Sequence, residues 1–340
     1  MQYEVRVERD RYLEILAFTT YAYLSGKITA YSGILGGQRS LGEYIENFIY
    51  GKVAEEAFKK FLHSNFGIES LTDLDIADFI LGYYLPDIIA VKLNDEYVAT
   101  KFWIEVKEVR REQKWFLIPE SGVTNRPYDV YVAVWVGLPD EHIAWLIKNV
   151  DEARSRMSKE WLKKMAEIEE MVSNINCRIV GYALYPDVER VLKAKNGDAL
   201  AEKELDKKYG EEGWYYFDGR TALFNPDDRT WRGAVVGRNI GFFSSRLEKA
   251  SKWDDEFLKY LYENERIVPL ISKFYTYQDR KGRTRSRTRT IKPDLCKKFG
   301  AKTEDYREIF QMCMEHQLEC IKGKYGSIVR KTSWFKQTID

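Results

Sequence analysis

The sequence is poor in cysteine, which limits both the type of scaffold and the redox setting. Its 340 residues contain only four cysteines. Cysteines this few and this scattered exclude a disulfide-stapled scaffold and are typical of a chain kept reduced inside a cell. Cys313, His316 and Cys320 fall on one face of a predicted helix. That spacing is compatible with a zinc site, but it favours a buried helix face, because no Cys-x-x-Cys pair accompanies them.

Long apolar runs are also missing. No stretch approaches the roughly 18 apolar residues that a membrane-spanning helix needs. The start of the chain, Met1-Gln2-Tyr3-Glu4, lacks the basic and then apolar layout of a signal peptide. We therefore expect a cytoplasmic protein with no membrane partner. The composition, 44% hydrophobic and 31% charged, is that of an ordinary globular protein with one large domain or two smaller ones.

The chain has almost no net charge, but its basic residues are unevenly placed. The formal net charge of +1 gives no indication of a polyanionic partner. Between Gln278 and Lys298, however, nine Lys or Arg residues accompany two Asp residues, a local charge of 9 − 2 = +7. The other residues therefore sum to 1 − 7 = −6. Gly237-Arg238-Asn239-Ile240-Gly241 is too sparse in glycine to be a phosphate-cradling fingerprint.

The centre of this basic stretch alternates arginine with small residues. In an extended backbone, alternate residues lie on one side, which places four arginines together: Arg283, Arg285, Arg287 and Arg289. We call these four residues the arginine comb. Such a row suits contacts with successive phosphates of DNA. The other interpretation, which stays open, is a solvated surface loop.

The strongest candidate for chemistry lies between two apolar, β-branched runs. Residues 85–91 and 102–107 flank Asn94-Asp95-Glu96, a pattern that predicts two antiparallel strands joined by a turn. Glu105 and Lys107 would then share one face, while the residues between them point into the opposite layer.

Asp87, at the start of the first predicted strand, would reach the same site as Glu105 and Lys107. Carboxylates and a lysine in an apolar setting are costly unless a ligand uses them. A hard cation fits this set, because Mg²⁺ takes one or two carboxylates and leaves its other positions for water and phosphate oxygens.

Pro86-Asp87 followed by Glu105-Val106-Lys107 resembles the PD-(D/E)xK nuclease superfamily, which includes most type II restriction endonucleases and several repair nucleases. The resemblance covers residues 40–140. It implies Mg²⁺, with Mn²⁺ as a substitute, held by Asp87, Glu105 and the carbonyl group of Val106. It also implies that Lys107 orients or helps to deprotonate the attacking water.

A helix is predicted from Ser40 to His63, with Ser40 and Glu43 forming a capping box. On a helical wheel, Glu55 lies at the edge of the apolar stripe and Glu56 points nearer the opposite side. In the resembled superfamily a glutamate of this helix contributes to metal binding. The resemblance therefore assigns Glu55 a catalytic and metal-binding role, and substitution of Glu56 should be nearly silent. Two ordinary surface glutamates are the alternative.

The loop before the next strand carries two candidates for base recognition, Asn125 and Arg126. Residues 128–136 form a nearly continuous apolar run, as expected of a central strand covered on both faces. Asn suits adenine and Arg suits guanine in the major groove of DNA. Turn chemistry beside Pro127 explains the same residues equally well.

The expected fold is α/β, with a restriction-endonuclease-like core of a central mixed β-sheet flanked by helices. Residues 1–210 would form this core, including helical elements over residues 3–35. Residues 211–340 would form a C-terminal region for DNA recognition and dimerisation, unless the whole chain is one compact domain.

The expected function is that of a type II site-specific deoxyribonuclease, an endonuclease that hydrolyses double-stranded DNA. A homodimer is expected, because cutting both strands of a symmetric site needs two copies of one active site. Two alternatives remain. One is a structure-selective repair or Holliday-junction nuclease of the same superfamily, and the other is a catalytically inactive DNA-binding module.

Overall fold

The structure is a computed structural model, and it describes most of the first 254 residues with two later strands. The described residues are 1–24, 41–76, 86–88, 90–93, 96–100, 103–110, 114–125, 127–219, 221–227, 229–235, 237–254, 257, 275–278 and 284–287.

The described residues alternate between strands and helices. The strands are β1 (Glu4–Glu8), β2 (Ser70–Leu71), β3 (Ala90–Leu93), β4 (Glu96–Ala99), β5 (Ile104–Val109), β6 (Trp115–Pro119), β7 (Val130–Val136), β8 (Asn174–Leu184), β9 (Trp214–Phe217), β10 (Thr221–Asn225), β11 (Thr230–Val235), β12 (Asn239–Phe243), β13 (Tyr275–Gln278) and β14 (Thr284–Arg287). The helices are α1 (Arg9–Leu24), α2 (Leu41–Phe66), α3 (Asp73–Ile76), α4 (Glu120–Asn125), α5 (Asp151–Arg154), α6 (Lys159–Ser173), α7 (Tyr185–Lys195), α8 (Ala199–Tyr209) and α9 (Ser244–Ala250), with a 3-10 helix over Ala144–Asn149.

A four-stranded mixed sheet forms the centre of the fold, with strand order β1-β8-β7-β5. Strand β7 pairs antiparallel with β8 and parallel with β5, and β8 pairs antiparallel with β1. Asp129, just before β7, bonds to Trp103, just before β5, at the start of the parallel β5–β7 pair. Its carboxylate accepts from the backbone N–H of Trp103 at 2.7 Å, and its own N–H donates to the Trp103 carbonyl at 2.9 Å.

The two faces of β7 belong to two different hydrophobic cores. Val130, Val132, Val134 and Val136 lie in one core with the apolar residues of α2. Tyr131 and Ala133 lie in the other, with side chains of α7, β12 and α9. This alternation follows from the two-residue period of a strand. The sheet is therefore covered by helices on both faces, and the prediction of a central mixed sheet flanked by helices is confirmed.

Smaller antiparallel sheets surround the central one. Strands β2, β3 and β4 form one, and the pairs β10–β11 and β13–β14 form two more. Strand β12 lies between β6 and β9 in a further sheet. Strand β6 precedes the expected boundary at residue 210, whereas β9 and β12 follow it, so one sheet joins the two regions. No helix within the described ranges is long and apolar enough to cross a bilayer.

Several predicted elements are confirmed. The predicted helix over residues 40–63 is α2, and the predicted central strand is β7, which is buried at six of its seven positions. The side chains of β5 also alternate between the two faces of the sheet as expected. Ile104 and Val106 belong to the core shared with α2, and Glu105 and Lys107 therefore point away from α2.

Two local predictions are wrong. The segment 4–8, expected to be helical, is strand β1, in which Val5 and Val7 alternate with exposed charged residues and pair with β8. The pairing of residues 85–91 with 102–107 is also wrong. Strand β3 instead pairs with β4, the nearest segment that can fold back across a short turn, and β5 pairs with β7. Asp87 lies in a bend before β3 rather than in a strand.

Glu56 is buried, which contradicts the expectation that it faces away from the core. It has 2% relative exposure and forms ion pairs with Arg11 at 2.8 Å and with Lys59 at 3.7 Å. Asp75 of α3 binds both of these cations as well. Burial alone would raise the pKa of Asp75, but Lys59 and Arg11 hold it below its ordinary value. These four residues form an ionic cluster that joins α1, α2 and α3.

We therefore expect Glu56→Ala to lower the free energy of unfolding by about 3 kcal/mol, because removing one partner leaves buried cations poorly compensated. Urea denaturation measures this loss. Glu170→Ala on the exposed face of α6 is the control and should change stability little. A Glu56→Ala protein as stable as the control would show that the cluster does not support the fold.

Candidate active site

Asp87 is fixed against the outer edge of β5, the last strand in the order of the central sheet. Its backbone N–H donates to the Ile104 carbonyl at 3.0 Å. Its carboxylate Oδ2 accepts from the backbone N–H of Val106 at 2.6 Å. Nearby, the Thr100 hydroxyl donates to the carbonyl of Ile88 at 2.7 Å and anchors the residue after Asp87. Asp87 thus lies beside the Glu-x-Lys strand although it belongs to no strand.

Glu105 and Lys107 lie next to Asp87 on the face of β5 that points away from α2. The Lys107 ammonium donates to Oε1 of Glu105. Glu105 is buried, with 7% relative exposure, whereas 33% of the Lys107 side chain is exposed. The site therefore combines a buried carboxylate with a lysine whose side chain is partly exposed.

The charges at this edge perturb each other strongly. Burial, and after it the charge of Glu105, raise the pKa of Asp87 to about 7 against the opposing effects of Lys52, Lys107 and the Val106 hydrogen bond. Burial would lower the pKa of Lys107, but Glu105 and Asp87 hold it above its ordinary value. Lys107 is therefore a stable cation here, held by the two carboxylates next to it.

These donors fit a hard divalent cation. Asp87 and Glu105 supply carboxylate oxygens, and Mg²⁺ sites commonly use one or two of these. The backbone of Val106 adds a further oxygen. In a strand, the N–H and C=O groups of one residue point to the same side. Because the Val106 N–H points toward Asp87, its carbonyl also faces the open edge of β5 rather than β7.

A second charged pair, Lys52 and Glu55, approaches from α2 on the other face of the sheet. The Lys52 ammonium donates to both carboxylate oxygens of Glu55, at 2.7 and 2.8 Å. The Lys52 charge also acts on Asp87, whose pKa it lowers. Lys52 is not among the residues predicted from the sequence. Its spacing of three residues from Glu55 places both on one helix face, which is the signal that could have revealed it.

The predicted site residues are thus brought together only in part. Asp87, Glu105, the Val106 backbone and Lys107 meet at the edge of β5, whereas Glu55 is paired with Lys52 on α2. Glu56 lies in the separate ionic cluster. Among the described residues, no three His, Cys, Asp or Glu side chains are grouped so that they could hold a metal ion.

The predicted DNA-binding residues lie largely beyond what the structure describes. Asn125 ends α4, and its side-chain position is not described. Arg126, Arg283 and Arg289 lie outside the described residues, as do the three residues of the conceivable zinc site. Arg285 and Arg287 lie in β14, so this part of the arginine comb has the extended backbone that the sequence analysis assumed.

Comparisons with protein-family models, with curated proteins and with solved structures find no match for this chain.

Proposed function

We propose that the protein is a divalent-metal-dependent endonuclease that hydrolyses phosphodiester bonds of double-stranded DNA. The observation that carries this proposal is the junction at the edge of β5, where the Asp87 carboxylate is bonded to Val106 and lies beside Glu105 and Lys107. Burial of two neighbouring carboxylates and an ammonium costs free energy. A site that binds a cation and a phosphate would use all three groups.

In this proposal, Asp87, Glu105 and the carbonyl group of Val106 hold Mg²⁺ or Mn²⁺. A bound divalent cation supplies Lewis-acid activation of the attacking water and neutralises negative charge on the phosphate. The hydrogen bond from Val106 keeps Asp87 in position before the ion arrives, which limits the reorganisation needed at the site.

Lys107 contributes a positive charge rather than a base. Its pKa lies above the ordinary value, so it is protonated at neutral pH in the metal-free protein. A protonated ammonium beside Glu105 can donate to a phosphate oxygen and offset the charge that develops as the phosphodiester is attacked. Of the two roles that the resemblance implies for Lys107, orientation of the water is therefore favoured over its deprotonation.

A DNA partner is supported by the backbone of the β13–β14 ribbon. Its register places Tyr277 opposite Arg285 and Tyr275 opposite Arg287, so these four positions share one face. The major groove of DNA admits a two-stranded ribbon of this kind. Arginines at alternate positions suit contacts with successive phosphates.

Within this activity, we propose site-specific cutting by a homodimer, as in type II restriction enzymes. The elements beyond the central sheet, including the ribbon, would provide recognition and dimerisation surfaces. The mass in solution, measured by light scattering with and without DNA, distinguishes a dimer from a monomer.

Incubation of the protein with plasmid DNA and Mg²⁺ tests the activity. We expect discrete fragments from the wild type and none from Asp87→Ala or Glu105→Ala, because either change removes a metal ligand. Lys107→Ala should cut about 100- to 1,000-fold more slowly and still bind DNA in the presence of metal. Ca²⁺ should support binding without cutting, because its longer and looser coordination misplaces the water.

Glu211→Ala, at an exposed turn, is the control and should cut like the wild type. Undiminished cutting by Asp87→Ala, or in excess chelator, would refute a metal site at β5. Nicking of plasmid, cutting only of branched DNA, or binding without cutting would instead indicate one of the other functions considered above.

If the β13–β14 ribbon binds phosphates, its arginines should affect how DNA binding depends on salt concentration. Replacement of Arg285 and Arg287 together by Ala should weaken binding to all duplexes alike. The slope of log affinity against log salt should become shallower by roughly 0.9 for each lost phosphate contact. Thr284→Ala with Ser286→Ala, on the other face of the ribbon, is the matched control. An unchanged slope in the arginine variant would exclude the ribbon from phosphate binding.

A further inference from the structure

The apolar stripe of helix α6 continues past the core that covers the rest of the helix. Four residues at helical spacing form this stripe: Trp161, Met165, Ile168 and Val172. Ile168 and Val172 are buried in the core shared with α2, and Met165 packs against that core. Trp161, by contrast, is 62% exposed. The first turn of α6 therefore carries the apolar stripe out into solvent.

The exposed indole is held on a well-formed helical turn. Ser158 is the N-cap of α6, and its hydroxyl accepts from the backbone N–H of Trp161 at 3.2 Å. The N–H of Leu162 donates to the carbonyl of Ser158 at 3.0 Å. Single exposed apolar side chains are common on protein surfaces, so the groups around Trp161 decide what it can bind.

The surroundings of Trp161 are basic. Residues 154–164, which we call the basic corner, contain five Lys or Arg residues and one Glu residue, a charge of 5 − 1 = +4. Two of the cations, Lys163 and Lys164, form only long ion pairs, at 3.9 and 3.7 Å. The other three are exposed and belong to no ion pair among the described residues: Arg154, Arg156 and Lys159.

Tight turns keep these three cations close to the indole. The N–H of Arg156 donates to the Ala153 carbonyl, and the N–H of Met157 donates to the Arg154 carbonyl, both at 3.1 Å. Helix α6 begins two residues after Met157. The three unpaired cations and Trp161 are therefore gathered between the end of α5 and the first turn of α6.

The basic corner lies toward the end of the central sheet at which β5 finishes. Strands β5 and β7 are parallel, so they end on the same side of the sheet. The chain leaves β7 at Val136 and forms the 3-10 helix, against which α5 and α6 pack. Lys164 of the corner reaches back to Glu141 in this segment. A nucleic acid bound at the edge of β5 can thus extend toward the corner.

We propose that the basic corner binds single-stranded DNA, with a base stacked on Trp161 and phosphates on the three unpaired cations. Sites for single strands combine positive charge along the backbone with aromatic faces for successive bases. In a duplex the bases stack on one another and offer no open face to an indole. The choice of DNA over RNA rests on the proposed function, whereas the stacking and charge arguments do not.

Other occupants fit this chemistry less well. A helix that lies on a membrane presents a broad apolar face along its length. In α6 the stripe beyond Trp161 is taken up by the core, which leaves one indole. The centre of a protein interface is depleted of charged residues, whereas this indole lies among cations.

Binding of a fluorescent oligothymidine of about 12 nucleotides in excess chelator tests the indole. Chelator removes divalent metal, so cutting does not interfere. Trp161→Ala should weaken binding by at least about fivefold, the lower end of the loss of one stacked base. Trp161→Phe should keep most of the affinity. Tyr215→Ala, at another exposed aromatic residue, is the matched control and should bind like the wild type.

An oligomer of abasic sites separates stacking from charge, because it has the same phosphates but no bases. On this probe Trp161→Ala should bind like the wild type. Because the exchanged side chain is exposed, the variant should also melt like the wild type.

The salt dependence of oligothymidine binding tests the cations. Replacement of the three unpaired cations together by Ala should make the slope of log affinity against log salt shallower. The expected change is about 0.7 for each lost phosphate contact, the value for single strands. Arg154→Lys with Arg156→Lys should keep the wild-type slope. The control, which should also keep it, replaces three exposed lysines of α8 and α9 by Ala: Lys203, Lys207 and Lys249.

Several results would overturn the inference. One is an unchanged affinity of Trp161→Ala for oligothymidine, or an equal loss on the abasic oligomer. Another is an unchanged slope in the triple variant, or an equal change in its control. Tighter binding of oligouridine through the same residues would overturn the choice of DNA. A lower mass of Trp161→Ala in light scattering would assign the corner to contacts between copies of the chain.

These measurements are independent of the test of the proposed function. Plasmid cutting needs a divalent metal and Asp87, whereas binding at the basic corner is measured in chelator. A wild type that cuts no DNA would refute the nuclease, and oligothymidine binding would still decide the role of Trp161.

Discussion

The hydrogen bond from the Val106 backbone to the Asp87 carboxylate is the contact on which the candidate site depends. It joins a bend that belongs to no sheet to the edge strand of the central sheet, and the N–H of Asp87 completes the attachment at Ile104. Hydrogen bonds to charged groups are worth about 1.5–3 kcal/mol, enough to hold a carboxylate near another one. Burial is the main cause of the raised pKa of Asp87, and the charge of Glu105 adds to it.

The central sheet makes this arrangement possible because, among the described strands, β5 pairs with β7 alone. Strand β7 occupies one side of β5 and is buried on both of its faces. Along the other side of β5, Asp87 is bonded to the backbone of Ile104 and Val106. The two neighbouring glutamates of α2 have different ion-pair partners. Glu55 contacts Lys52 near the site, whereas Glu56 joins α1 and α3 in the ionic cluster.

The sequence predicted what depends on local periodicity. The apolar run of β7, the helix α2 and the two faces of β5 followed from spacing alone. The pairing of β5 with β7 could not be predicted from spacing, because strand pairing depends on contacts between residues far apart in the chain. The burial of Glu56 was missed for the same reason, since its partner Arg11 comes from another helix. Lys52 was missed because a lysine beside an apolar stripe usually reaches solvent.

The central claim is that Asp87 and Glu105 together hold a divalent cation at the edge of β5. Anomalous diffraction from crystals grown with Mn²⁺ and a DNA duplex measures this directly. The account predicts an anomalous peak within coordination distance of both carboxylates, about 2.0–2.2 Å from their oxygens, with a phosphate oxygen of the DNA on the same ion. A peak bound by Glu55 without Asp87, or DNA bound with no peak at this edge, would contradict it.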